Sequence, residues 1–541
     1  MGSMALNDKD ATGGALPDGS GPWAPLGKEV WLAVLATMAL LAVTAFGFLP
    51  PGICRGDAGD LQLASATLGV MHPPGYPGFV TLGYLLTQVS GTGITGLPVD
   101  PAYIVTLACY ASGIVTLGLC VLMQVRLGVN PWVASALVLA LTCHPRIWLN
   151  IIEPEVYAPA MALLAASTYV FMRYAMTGGR MSLYLAALLF GMTLANRPTV
   201  IWIAPFFCLA WWLARGRWDS STKGWHNQLA GSWRVFARVA LLAIVPGLYS
   251  LGFILVRDTP DATYNYIESY NAEFHELPES DAGWRAKGER LWWQISASEF
   301  QRYLVESPRD AWMRLRWLYL EFFLFRTVTF LGAMFVTGPY LVPMALVLAG
   351  VGGTLLYRRS RPALCLLIGM VLGNIGYICT YRIYGLAGDL SPLMFALTVT
   401  AGVAVSSLIP LGAKRGRRAV AVVLAVAAGS LMSLDAPRRV PTRPTDAIPF
   451  LNKVDMATLP QDAVICSIWP ESTPLWYAQN FLTRRLDIEI INAGATNWYS
   501  RVAHQLHRPI FMTFNPPRFK GQDIEPYRNL WRWGDPQPIT R

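Results

Sequence analysis

The residues best suited to chemistry lie close together early in the chain. Arg55-Gly56-Asp57-Ala58-Gly59-Asp60-Leu61 sets two carboxylates three residues apart, and Leu68-Gly69-Val70-Met71-His72-Pro73-Pro74-Gly75-Tyr76-Pro77 adds an imidazole shortly after. On a helix beginning here Asp57 and Asp60 face the same way, at a terminus whose dipole favours negative charge. A carboxylate so placed can take a proton from a hydroxyl. The plainer alternative is a helix cap with solvated neighbours. Against it stand the position directly after an apolar run and the rigid Pro-Pro-Gly-Tyr-Pro turn that follows. His72 precedes a proline, which holds it extended, so it can reach a phosphate or a neighbouring carboxylate. Glu153 and Glu155 stand at the mouth of a later apolar run, either to hold a cation or an acceptor or simply to face water at a helix start. No His-Glu-x-x-His or paired-Cys pattern is present, so zinc is not indicated. A divalent cation on Asp57, Asp60 or Glu155 is an option that no motif supports.

The elements that must position these groups are membrane helices. Of 541 residues 54% are hydrophobic and only 14% charged, with mean hydropathy +0.38, whereas soluble chains carry about 25% charged residues. That excludes a string of soluble domains, and the abundance of Leu, Val and Trp excludes disorder. Eight cysteines are too few for a disulfide scaffold. Cys109, Cys120, Cys143, Cys208, Cys365 and Cys379 fall in apolar runs; Cys54 and Cys466 lie outside them, and no bridge is expected between these two. The net charge of +10 does not imply nucleic acid, because the basic residues cluster at the ends of apolar runs: Arg173 and Arg180, Arg215 and Arg217, Arg358, Arg359 and Arg361, then Lys414, Arg415, Arg417 and Arg418. Such clusters mark cytoplasmic loops.

Three regions follow. Residues 1–28 read as a disordered cytoplasmic tail. Residues 29–434 hold about eleven spans, at about 30–49, 102–125, 132–144, 154–172, 182–195, 199–214, 238–256, 332–357, 362–380, 390–411 and 419–434. The first lacks a small-residue cleavage site and reads as uncleaved. Large external loops fall at about 50–101 and 257–331. The second carries Trp292, Trp293 and Tyr303 beside Arg285, Lys287 and Arg290, a pattern of helices lying along the interface. Residues 435–541 are soluble in character. Strands at 463–469, 488–492 and 509–514 alternate with helices at 473–482 and 498–506, which predicts a small α/β unit with a parallel sheet. Eleven spans leave the N-terminus cytoplasmic and the C-terminal unit external, on the side of Asp57.

The stretch Gly56-Asp57-Ala58-Gly59-Asp60-Leu61 through His72-Pro73-Pro74-Gly75-Tyr76-Pro77 resembles the signature of bacterial membrane proteins related to the eukaryotic receptor protein O-mannosyltransferases, within the GT-C superfamily. Weaker resemblance extends to Glu153-Pro154-Glu155-Val156-Tyr157, Leu291-Trp292-Trp293-Gln294-Ile295-Ser296 and Thr473-Pro474-Leu475-Trp476-Tyr477. The resemblance implies an α-helical multispanning fold and an inverting transfer of a sugar, mannose first, from a polyprenyl-phosphate carrier to a hydroxyl of a protein or glycan acceptor. It places the chain in a bacterial inner membrane with its site on the periplasmic face. It implies that Asp57 is the catalytic base; Asp60 stands where relatives often have Glu. A departing phosphate needs fixed positive charge, for which His144, Arg146, Arg197 and Arg382 are candidates at external span ends. His72, Tyr76, Glu155 and Tyr157, within the matched stretches, are candidate substrate contacts. Relatives often carry histidines near Asn196-Arg197, and this chain does not. Transfer of another sugar to a lipid or glycan is the nearest alternative. A lipid-linked saccharide transporter would also need a polar cavity among helices, but no internal repeat is found, and a non-enzymatic scaffold would not need the carboxylate pair. No Gly-rich phosphate loop appears that could cradle a nucleotide sugar.

Overall fold

The computed structural model describes residues 23–91, 99–142, 145–219, 224–227, 233–319, 338–380, 391–408, 446–493, 498–514, 524–527 and 530–533. Ten of the expected spans correspond to helical segments: α1 (Lys28–Phe46), α4 (Pro101–Arg126), α5 (Pro131–Thr142), α7 (Tyr157–Thr177), α8 (Arg180–Asn196), a 3-10 turn (Pro198–Ile203) running into α9 (Ala204–Arg215), α10 (Trp233–Arg257), α14 (Gly338–Arg359), α15 (Arg361–Thr380) and α16 (Ser391–Leu408). The run at 419–434 lies outside the described residues. α1, α4, α10 and α15 are long and apolar enough to cross a bilayer, with mean hydropathy from 1.9 to 2.4. The protein is an integral membrane protein.

Short connections make successive spans antiparallel, so the bundle has two chemically distinct ends. At one end, Arg126 donates to the Ala24 carbonyl (2.8 Å) and stacks on Trp23, while Arg359 donates to the Leu127 carbonyl (2.9 Å). Arg173, Arg180, Arg358 and Arg361 sit at helix termini of this same end. The other end carries both large loops and the C-terminal unit.

The first loop forms α2 (Gly56–Thr67) and α3 (Pro77–Gly91), and α6 (Pro145–Ile152) is a short helix in the stretch left between the expected spans at 132–144 and 154–172. The second loop forms α11 (Tyr266–Phe274), α12 (Trp284–Ile295), a 3-10 turn (Ser298–Tyr303) and α13 (Pro308–Tyr319). Its aromatic residues do not all lie on the outer surface. Trp292 is exposed, but Trp293 is buried, and Arg290 is fully buried. The reason is charge pairing: Arg290 forms a two-pronged bridge to Asp258 (2.6 and 2.7 Å) and reaches Glu268 (2.8 Å) and the Pro278 carbonyl (3.0 Å). This geometry suits a guanidinium removed from water.

The C-terminal unit contains α17 (Ile448–Val454), α18 (Trp469–Tyr477) and α19 (Trp498–Val502) around a five-stranded sheet. The parallel strands β3 (Val464–Ser467), β4 (Glu489–Asn492) and β5 (Ile510–Met512) fall where expected, with Cys466 paired to Ile491 and Met512. Two further strands, β6 (Ile524–Tyr527) and β7 (Leu530–Trp533), extend the sheet antiparallel, in order β4-β3-β5-β7-β6, and were not anticipated. A hairpin of β1 (Gly216–Asp219) and β2 (Gly224–Asn227) follows α9 and was likewise unforeseen. Cys54 and Cys466 are both buried, and neither forms a disulfide.

The first loop is the hub of this end. Val70 exchanges backbone hydrogen bonds with Tyr264 (3.3 Å) and Tyr266 (2.8 Å), and Ile53 accepts from Ala447 (3.1 Å). One apolar core joins Leu61 and Leu63 of α2, Ile267 of α11, Trp293 of α12 and Leu475 of α18. Burying faces from all three segments in one core fixes their relative positions.

Candidate active site

Everything at the site depends on where α2 points. Its Gln62 is fully buried and satisfied on all sides: it accepts from the Cys54 N–H (2.7 Å) and donates to the carbonyls of Gly52 (3.2 Å) and Ala102 (3.0 Å) and to the Thr106 hydroxyl (3.0 Å). These bonds lock the N-terminus of α2 against the start of α4. On the opposite side α18 approaches closely. A Cβ on Gly59 would lie 2.7 Å from Thr473 Oγ1 and 2.3 Å from the Cys54 carbonyl, so only glycine fits there. Thr473 uses that proximity to donate to the Gly56 carbonyl (3.1 Å).

The two carboxylates share a helix but not an environment. Three residues turn a helix through about 300°, leaving the side chains some 60° apart, and that offset separates them here. Asp57 is exposed in the first turn, and its Oδ1 accepts from the indole N–H of Trp469 (2.7 Å). Asp60 is fully buried. Its Oδ2 meets His72 Nδ1 (2.5 Å) and the His72 backbone N–H (3.1 Å), and its Oδ1 accepts from the Tyr264 hydroxyl (2.6 Å). Burial disfavours charge on His72, but Asp57, the Asp60 hydrogen bond and charge, and Glu155 together outweigh it and raise the imidazole to about 9. His72 is therefore cationic at neutral pH. Asp60 is paired with that cation, while Asp57 faces open space.

The turn after His72 is shaped by Gly75, at φ +92°, where a Cβ would come 2.9 Å from Gln294 Nε2. Gln294, fully buried, donates from that nitrogen to the Met71 carbonyl (2.7 Å) and so ties α12 to the turn. Edge-on rings surround His72: Tyr76 at 5.8 Å, Trp469 at 6.1 Å, Tyr266 at 6.2 Å and Phe300 at 6.5 Å. Tyr266 in turn donates to Glu299 (2.8 and 3.0 Å). Burial holds the Glu299 carboxyl above its ordinary range, against the pull of the Tyr266 hydroxyl, His72 and Arg302.

Glu155 belongs to the same electrostatic neighbourhood. Burial, then Asp57 and Glu153, push its carboxyl well above the usual range, with His72 pulling the other way. Tyr76 links this group to Arg197: burial raises its phenol, and Asp57 and Glu155 add to the rise while Arg197 opposes it. Arg197 is itself buried where α8 ends, its guanidinium 4.6 Å from the Tyr157 ring centroid. It lines a recess with Thr199, Asn374 and Tyr377.

Asp57, Asp60, His72, Tyr76, Glu155, Tyr157 and Arg197 thus cluster at one end of the bundle. Of Arg146 only the backbone is described, in α6, and His144 and Arg382 lie outside the described residues. Among the described residues no three His, Cys, Asp or Glu side chains converge as a metal-binding group. The side of Asp60 where a cation would sit is taken by the charged His72.

Sequence reasoning missed Trp469, Tyr264, Tyr266, Glu299 and Phe300. For Trp469 a signal existed: it opens the helix that follows the first parallel strand, and side chains beyond the carboxyl ends of such strands face ligand crevices.

Residues 57–220 match the family model described as the protein O-mannosyl-transferase TMEM260 N-terminal domain, a match that begins at Asp57. A mouse protein O-mannosyl-transferase TMEM260 is 36% identical over 107 residues, 20% of this chain and 14% of that protein. Its Dictyostelium discoideum counterpart is 30% identical over 109 residues, 20% of this chain and 13% of that protein. The aligned region therefore spans about a seventh of these curated relatives. The crystal structure of ArnT from Cupriavidus metallidurans bound to undecaprenyl phosphate superposes with TM-score 0.52 at 12% identity, covering 94% of this chain and 98% of that one. Its apo form gives TM-score 0.52 at 13% identity, covering 90% and 92%.

The chain has a GT-C fold, shared with ArnT.

Within the GT-C fold the likeness to ArnT runs nearly end to end, so the C-terminal unit that brings Trp469 to Asp57 is included in the shared architecture.

Proposed function

We propose that the protein transfers a sugar, mannose by preference, from a polyprenyl-phosphate carrier to a hydroxyl on a protein acceptor. The observation that carries the reading is Asp57: an exposed carboxylate on a rigidly held helix, with one oxygen fixed by Trp469 and the other facing open space. In the proposed step the acceptor oxygen attacks the anomeric carbon as Asp57 takes its proton. The bond from that carbon to the carrier phosphate breaks, and the phosphate leaves with the electron pair, inverting the centre. Arg197 and the remaining N–H of cationic His72 supply positive charge for the departing phosphate. Mannose and protein hydroxyls are suggested by the names of the TMEM260 relatives, and the lipid carrier by ArnT's bound undecaprenyl phosphate. The basic termini at the opposite end of the bundle support an external site, on the periplasmic face of a bacterial inner membrane.

The test supplies purified protein and acceptor with mannose on either a polyprenyl phosphate or a nucleotide. Product is expected only from the lipid-linked donor; product from the nucleotide sugar in the absence of lipid carrier would overturn the reading.

Trp469 acts here as a positioning residue. Trp469→Phe keeps the ring and removes the N–H, a hydrogen bond to a charged group worth about 1.5 kcal/mol or more. Turnover should fall about tenfold with little change in KM for the donor. An unchanged kcat would show that the indole does not orient the base.

A further inference from the structure

The second loop ends in a helix whose two sides differ sharply. Ser307 caps α13 by accepting from the Asp310 N–H (3.2 Å), and its hydroxyl donates to the Asp310 carboxylate (2.9 Å). With Pro308 in the first turn, this reciprocal cap fixes where the helix starts. Just before it, the Val305 N–H donates to the carbonyl of Thr380, the last residue of the span α15 (2.9 Å). Leu315 packs with Ile378 of the same span, and Arg314 beside it is only 5% exposed. α13 is thereby fastened at the very end of a membrane helix.

The other side of α13 carries Arg309, Trp312, Met313 and Arg316, at spacings of three, four and seven that form one stripe. Trp312 is 64% exposed and Met313 53%, and both arginines are exposed. A protein surface facing bulk water gains nothing from displaying Trp and Met between two cations. The layer where a span ends favours that composition: Trp settles at headgroup depth, and arginine stems lie along apolar surface while the guanidinium stays with the phosphates.

We propose that α13 rests in the headgroup layer and prefers anionic phospholipid, bound through Arg309 and Arg316 with Trp312 and Met313 inserted beneath. The charge is complementary, and the helix is continuous with the membrane-embedded surface of α15, so bilayer phospholipid is the occupant. Each arginine near an anionic surface favours it by about fivefold.

The test uses the full chain in nanodiscs of brominated phosphatidylcholine, with or without brominated phosphatidylglycerol, and takes the quenching lost in Trp312→Phe as the signal from Trp312. Quenching is expected in both, with an increment in phosphatidylglycerol that Arg309→Gln/Arg316→Gln abolishes and Arg309→Lys/Arg316→Lys keeps. No quenching attributable to Trp312 in either lipid would overturn the proposal, as would an increment that the Gln variant leaves unchanged. An increment that appears only on adding polyprenyl phosphate would assign the stripe to that lipid and equally overturn it. The readout involves no sugar transfer, so it fails or succeeds separately from the glycosyltransferase reading.

Discussion

Asp57→Asn is expected to lower the rate of sugar transfer by about 10²–10⁴-fold, the usual cost of removing a general base. The amide retains an oxygen that can accept from Trp469, and the exposed site has room for an isosteric group, so fold and donor binding should persist. The discriminating measurement is single-turnover kinetics with saturating lipid-linked donor, alongside a direct donor-binding assay. Loss of turnover with binding intact is the expected pair. Near-normal turnover would remove Asp57 from the base role and shift attention to Glu155 or Glu299, the carboxylates near His72 that are not, like Asp60, bonded to it.

Asp60→Asn should act on stability, with a dependence on pH that gives away its mechanism. In the folded protein His72 is raised from 6.5 to about 9. A group raised on folding contributes stability that is fully present below its unfolded value and is lost as pH rises through its folded value. The shift, which Asp57, Asp60 and Glu155 share, corresponds to about 3 kcal/mol in all, and breaking a buried pair by removing one partner costs about 3–5 kcal/mol. The variant should therefore unfold well below the wild type at pH 6 in detergent. The gap should narrow between pH 6.5 and 9 as wild-type His72 gives up its proton. A gap that stays constant from pH 6 to 10 would mean that Asp60 contributes through packing or Tyr264 alone.

How far a sequence reveals such a site depends on the range of the interactions that build it. The spans were readable because an apolar run long enough to cross a bilayer is a local property, and α2 because its carboxylates, glycines and proline turn are contiguous. The burial of Asp60 was not readable: spacing gives a helical face, but only Tyr264, some two hundred residues on, shows which face the core takes. Arg290 looked like an interfacial cation beside Trp292 and proved to be the centre of an ion cluster with Asp258 and Glu268. Strands β6 and β7 were hidden because Pro526 cannot donate to a ladder and so argues against a strand. The pair sits at the sheet edge, where a proline is tolerated.

The bond between Trp469 and Asp57 spans 412 residues of chain. A ribosome adding about 5–20 residues each second needs roughly 20–80 s to travel that distance. The segment bearing Asp57 therefore enters the membrane long before the indole that holds it has been synthesised. An unfinished chain would carry a carboxylate lacking its indole partner, and truncation anywhere before residue 469 would leave it so. If Asp57 is the base proposed above, it gains its orienting partner only once the C-terminal unit has been synthesised.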